Sequence, residues 1–206
     1  MKQTFTRTNL LFLICIFVVT LLRSSASESA PATGNRSTYE TTLRANAILA
    51  KSYARQKGLD TSVCFLIDMR IDAGKNRFFV FDFSSGKTMR QGLVTHGRCN
   101  QNWLSGRRYG NEVGCGCTSL GRYKVGKSYY GRFGLAYKLH GLDSTNSNAY
   151  KRYVVLHSME CVPEKEVDPM PICQSDGCPT VSGGFLKEIS TLINKAGRPV
   201  LLWIYE

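Results

Sequence analysis

The sequence predicts a mainly β domain with two flanking helices, and three observations lead there. From Val63 onward, short stretches rich in branched and aromatic residues recur, separated by Gly, Asn, Asp and Ser. Helical periodicity holds only before Val63 and again between Ser182 and Gly197. No internal repeat, heptad array or low-complexity block divides the chain of 206 residues, a length that suits one domain with a substantial core.

Taken in order, the first stretch, "MKQTFTRTNLLFLICIFVVTLLRSSA", reads as a secretory signal over residues 1–26. Lys2 and Arg7 precede an apolar run from Leu10 to Leu22, and Ser24-Ser25-Ala26 suits a signal peptidase. The run falls short of the ~20 residues that span a bilayer, so no permanent membrane span is expected. Cys15 follows Ile14, where a lipidation site needs a small residue. Residues 27–36, "SESAPATGNR", read as a flexible lead-in to a single domain over 37–206.

Ser37-Thr38-Tyr39-Glu40 has the form of a capping box. Behind it Tyr39, Leu43, Ala47, Ala50 and Ala54 fall on one side of a helix ending near Gly58. "VCFLIDMRI", "RFFVFDFSS", "MRQGLVTHG", "GRYKVGKSYY", "AYKLHGLD", "YVVLHSM" and "PVLLWIY" are seven expected strands. Between the last two, Phe185, Leu186, Ile189, Leu192 and Ile193 form the apolar face of a second helix, with Ser182 as its cap and Gly197 as its stop.

The charge is +12, and loss of Lys2, Arg7 and Arg23 with the signal lowers it to +9. Such a balance favours association with anionic envelope polymers or surfaces and says nothing of fold. No clustered basic tail points to nucleic acid. Residues 27–206 hold seven cysteines, at 64, 99, 115, 117, 161, 173 and 178. In an oxidising compartment they pair, so up to three disulfides with one cysteine left over are expected.

Three chemistries compete for Cys178 in "CQSDGCPTVSGG". His157, Cys161, Cys173 and Cys178 do not have the close paired spacing of a structural zinc site, and no metal is expected. A nucleophile needs a base, oxyanion donors and room for a carbonyl. Gly177 before Cys178 permits a sharp turn, and His157 at the end of "RYVVLH" is rigidly placed to act as base. A disulfide with a structural histidine is the alternative on these residues alone.

His157, followed by Ser175-Asp176-Gly177-Cys178, resembles the signature of the L,D-transpeptidase (YkuD-type) catalytic domain. "TSLGRYKV" at 118–125 is similar to a strand near the start of that domain, and "SDGCPTV" resembles its murein L,D-transpeptidase branch, where a proline follows the cysteine. The resemblance implies a β-sandwich or barrel-like catalytic domain and attack on a peptidoglycan stem peptide through a Cys178 thioester. His157 would be the base, the N–H groups of Gly177 and Cys178 the oxyanion donors, and Ser175 the orienting hydroxyl. An amine acceptor would give a cross-link and water a carboxypeptidase. Neither outcome needs a cofactor or metal, and the location would be periplasmic or secreted, in the cell envelope.

Many members carry a histidine where Asp176 stands, and an aspartate facing the thiol would raise its pKa. Arg122, Lys124, Lys127, Arg132 and Lys138 lie where the family has strands and loops beside the cleft. Of these, Arg132, between Gly131 and Gly134, is the expected carboxylate contact. His140 is either a strand-end residue bonded to a loop or a substrate contact, and His96 is expected to be structural. Cys161 and Cys173 flank the loop between His157 and Cys178 and are expected to pair, leaving Cys178 free. The competing reading is a catalytically degenerate, disulfide-containing cell-wall binding protein of the same fold.

Overall fold

Eight strands, several of them branched and aromatic stretches buried along most of their length, form one mixed sheet with a helix against each of two faces. The computed structural model describes residues 33–206, with side chains from Tyr39 on; the expected signal and residues 27–32 of the lead-in lie outside the described residues. The elements are α1 (Thr33–Gln56), β1 (Val63–Asp68), β2 (Phe78–Asp82), β3 (Lys87–Gly92), β4 (Gly121–Gly131), β5 (Gly134–Gly141), β6 (Val155–Ser158), β7 (Thr180–Val181), α2 (Gly183–Lys195) and β8 (Leu201–Tyr205). The strand order is β3-β2-β1-β8-β4-β5-β6-β7. β1 lies parallel to β8 and β6 parallel to β7, while every other pairing is antiparallel.

Two cores follow from this order. Phe65 and Phe78 at one end of the sheet and Tyr137 and Leu156 at the other share a core with Phe185, Leu186 and Ile189 of α2, so the sheet curls around that helix. On the opposite face Leu43, Ala47, Ala50 and Ala54 of α1 pack on Cys64, Leu66, Phe81 and Leu201. Three of the four helix residues are alanines, which lets α1 lie close to the strands. Among the described residues no helix is long and apolar enough to cross a membrane.

The structure departs from the sequence reading in four places. α1 does not begin at the Ser37 box: its backbone is already helical at Thr33, so residues 33–36 of the expected lead-in belong to it. α2 keeps its cap, with Ser182 Oγ accepting from Phe185 N, but it stops at Lys195 without a left-handed glycine. Instead the Ala196 N–H bonds to the carbonyls of Leu192 and Ile193. β7, a two-residue strand directly after Cys178, was hidden by its length. Finally, among the described residues two disulfides form where up to three were expected: Cys99–Cys117 and the expected Cys161–Cys173. Cys64, Cys115 and Cys178 are free, Cys64 because it is buried in the middle of the sheet under α1.

Candidate active site

The segment Ser175-Asp176-Gly177-Cys178 is a turn held from both sides. Ser175 N donates to His96 O at 3.0 Å and Arg98 N to Ser175 O at 2.9 Å, anchoring the turn on the strand-like segment 96–98. Within the turn, Ser175 Oγ accepts from Gly177 N at 3.2 Å and donates to Cys178 O at 2.7 Å. The Ser175 hydroxyl thus bridges the turn from Gly177 to Cys178. Gly177 has φ +105°, a region that L side chains rarely adopt. A Cβ there would lie 2.5 Å from Cys117 O and 3.0 Å from Arg152 Nη2.

Of the two expected oxyanion donors, the Gly177 N–H donates to Ser175 Oγ. The Cys178 N–H makes no hydrogen bond among the described residues.

The half-buried Cys178 thiol rests against β6. Val155 N donates to Sγ at 3.5 Å, and the thiol points to Tyr153 O at 3.9 Å. Burial pushes the thiol pKa up, with smaller opposing pulls from the Val155 N–H and the Arg152 guanidinium and a last, small push from Asp176. Asp176 contributes little because it turns outward, where its carboxylate accepts from Arg98 Nε at 2.7 Å.

His157 is buried in β6, between Ala136 of β5 and Thr180 of β7 in register. Its Nδ1 lies 3.0 Å from Ser158 O, an acceptor only, which places the proton on Nδ1 and leaves the lone pair on Nε2. Burial lowers its pKa, partly offset by that carbonyl, so the ring is neutral at pH 7. Nε2 meets Thr180 Oγ1 at 3.1 Å, and the same hydroxyl lies 3.3 Å from Cys178 O. The exposed face of the imidazole is capped by Phe133, stacked at 4.2 Å from the β4–β5 turn. Arg132 lies over that ring, its guanidinium carbon 5.5 Å from the centroid, and so projects beside the site.

Behind the turn, Arg152 donates to Gly110 O at 2.9 Å and also bonds Ser119 Oγ and Cys117 O. The loop carrying Cys117 is closed by the Cys99–Cys117 disulfide. Arg152, Thr180 and Phe133 were not singled out from the sequence. Arg152 sits in "YKRY", which reads as a solvated basic face, and the one signal for Phe133 was its place next to Arg132 in a glycine-bounded turn.

The remaining expected contacts lie elsewhere. Arg122 is taken by Asp143, with contacts of 2.9 and 2.6 Å, and stacks over Tyr53. His140 stacks on Tyr150 at 5.3 Å and lines a groove of about 950 Å³ with Lys124, Lys127 and Lys138. His157 and Cys178 are not among the groove's lining residues. His96 is structural as expected, wedged between Arg77 and Gln174, and burial lowers its pKa to about 4.

The Cys178 thiol thus stands on a glycine turn, set against a strand that carries a carbonyl-oriented histidine. The chain belongs to the L,D-transpeptidase catalytic-domain family (YkuD_2), whose profile matches residues 35–205. Its structure is similar to an L,D-transpeptidase from Enterococcus faecium (11% identity, TM-score 0.43, covering 70% of this chain and 50% of that one). It is also similar to an L,D-transpeptidase from Mycobacterium smegmatis (12%, TM-score 0.41, 70% and 59%). A third similar structure is the helical cell shape determining protein Pgp2 from Campylobacter jejuni (14%, TM-score 0.41, 70% and 48%). The chain thus spans about half to three-fifths of the length of these structures. Among curated proteins, none matches the chain.

Proposed function

We propose that this is an exported cysteine acyltransferase acting on peptidoglycan stem peptides in the cell envelope, with Cys178 as nucleophile and His157 as base. The observation that carries the reading is the neutral His157, its Nδ1–H fixed on Ser158 O and its Nε2 lone pair accepting from the Thr180 hydroxyl, on the strand that borders a half-buried thiol on a glycine turn. Family membership supports the same reaction class.

The steps follow from these atoms. On substrate entry the Thr180 hydroxyl shifts its bond from His157 Nε2 to Cys178 O, which it already meets, and Nε2 becomes free for the thiol proton. Sulfur attacks the carbonyl of the third stem residue, and the oxyanion is met by the Cys178 N–H. The C–N bond to the terminal D-residue breaks, the leaving amine takes the proton from Nε2, and the acyl group stays on sulfur as a thioester. An acceptor amine or water then attacks, gives its proton to His157, and returns the thiol. The amine forms a cross-link and water a shortened stem.

Cys178→Ala and His157→Ala are each expected to abolish release of the terminal D-amino acid from muropeptides, by several orders of magnitude in rate, with the fold intact. Retention of more than a tenth of parental turnover by either variant overturns the role assignment. The competing reading, a degenerate wall-binding protein, is favoured by one observation: the thiol pKa is raised and, among the described residues, no hydrogen bond joins His157 to Sγ. Intact-mass detection of a stem-peptide thioester on Cys178 excludes that reading, and its absence on prolonged incubation supports it.

A further inference from the structure

The groove that holds His140 is a second site of different character. It runs along β4 and β5 and against the end of α2, and four cations line it: Lys124, Lys127, Lys138 and Arg198. No Asp or Glu is among its lining residues, and among the described residues none of the four makes an ion pair with a carboxylate. Four like charges around one groove repel one another, and a ligand of opposite charge relieves that repulsion.

The groove floor is organised by aromatic side chains. The Lys138 ammonium lies 5.8 Å from the Tyr129 ring and 5.4 Å from the Tyr150 ring, and Tyr150 is stacked on His140. A shift in register between Val125 and Ser128 opens the edge of β4, and Gly126 leaves the space that His140 occupies, since a Cβ there would lie 2.8 Å from Nε2. Tyr129 and Tyr150 are both substantially exposed, so their phenol groups reach solvent at the rim. Lys138 lies over both rings and His140 stacks on Tyr150, so the Tyr150 ring is not an open stacking platform of the kind nucleobases need. The groove presents ammonium groups held in place and phenol hydroxyls.

We propose that this groove binds an anionic glycan, its acidic groups meeting Lys124, Lys127, Lys138 and Arg198 and its sugar hydroxyls meeting Tyr129 and Tyr150. The proposal goes beyond the acyl-transfer reading and does not need it. Lys138 stands opposite Val155 in register, and Val155 N contacts the Cys178 thiol, so a strand seated in the groove lies on the same strand pair as the sulfur.

Binding is measured by calorimetry on the full chain carrying Cys178→Ala, so that the result is independent of turnover. The probes are oligogalacturonate, a neutral chito-oligosaccharide and an oligothymidylate of the same charge as the first. The expected result is that oligogalacturonate binds at least tenfold more tightly than either other probe and weakens as salt rises. Lys124→Ala combined with Lys138→Ala raises its Kd at least tenfold. Tyr150→Ala raises it several-fold while removing no charge, and Tyr150→Phe, which keeps the ring under Lys138 and removes the hydroxyl, raises it by a smaller, measurable factor. The proposal is overturned by absence of oligogalacturonate binding or by oligothymidylate binding as tightly. It is overturned equally by a Tyr150→Ala protein of unchanged melting temperature that binds like the parent, which would reduce the groove to a diffuse ion exchanger.

Discussion

Gly177→Ala tests whether the nucleophile turn depends on a backbone that a side chain cannot occupy. At φ +105° a Cβ is strained, and here it would also press within 2.5 Å of the Cys117 carbonyl oxygen. The first effect costs about 1–2 kcal/mol. The second, an overpacked contact with backbone that cannot rotate away, adds about 1–3 kcal/mol. Gly58, with φ +65° and nothing within 4 Å of its Cβ, isolates the conformational part, and Gly58→Ala is expected to cost about 1 kcal/mol. At roughly 2–4 °C per kcal/mol for a domain of this size, Gly177→Ala lowers Tm by about 4–20 °C and Gly58→Ala by about 2–4 °C. The assay is thermal unfolding followed by circular dichroism, with turnover measured on the same samples. If Gly177→Ala costs no more than Gly58→Ala, or keeps parental activity, the packing of Gly177 on the disulfide-closed loop does not position the thiol.

Three further outcomes are expected. A neutral thiol paired with a neutral imidazole gives a bell-shaped pH profile of kcat/KM: the rise, set by deprotonation of His157, falls below its ordinary 6.5, and the decline, set by ionisation of Cys178, falls above its ordinary 9.0. A decline that begins below pH 8 would show that a preformed thiolate–imidazolium pair operates instead. Replacing Cys161 and Cys173 together by serine opens a loop with a sequence separation of 12 and is expected to cost about 3 kcal/mol, read as the shift in urea midpoint at constant slope; an unchanged midpoint contradicts it. Arg132→Ala is expected to weaken stem-tetrapeptide binding by about 1.5–3 kcal/mol on a Cys178→Ala background, with unchanged Tm, and unchanged affinity removes Arg132 from the site.

Much of the fold was legible because local pattern and global packing agree. The alanine-rich face of α1 and the Phe185–Ile189 face of α2 follow helical spacing, and seven strands carry enough branched and aromatic residues to be seen singly. β7 escaped because two residues have no periodicity; it exists only through its neighbour β6. The site divides in the same way. Cys178 follows a glycine, Ser175 lies in the same short turn and His157 sits near a strand end, and that context is local. Thr180, Phe133 and Arg152 act across the sheet or from other turns, and no spacing in sequence announces such contacts. Asp176 shows the converse, since proximity in sequence suggested an effect on the thiol that its pairing with Arg98 largely removes. The cysteine count pointed to disulfides, two of which form among the described residues, and was silent on Cys64, whose burial under α1 keeps it from any disulfide partner.

The place of β8 has a consequence for how the molecule comes into being. Among the described residues β8 is the only strand paired with both β1 and β4, so it joins the β3-β2-β1 half of the sheet to the β4-β5-β6-β7 half. Its pairing of Leu201 with Cys64 and of Leu202 with Tyr123 requires the last-made strand to insert between two earlier ones. Until it does, each half has an open hydrogen-bonding edge, and closing the seam demands contacts between chain segments far apart in sequence, which fold slowly. Until β8 has paired with both, the half of the sheet that carries His157 is joined to the β3-β2-β1 half by no strand ladder among the described residues.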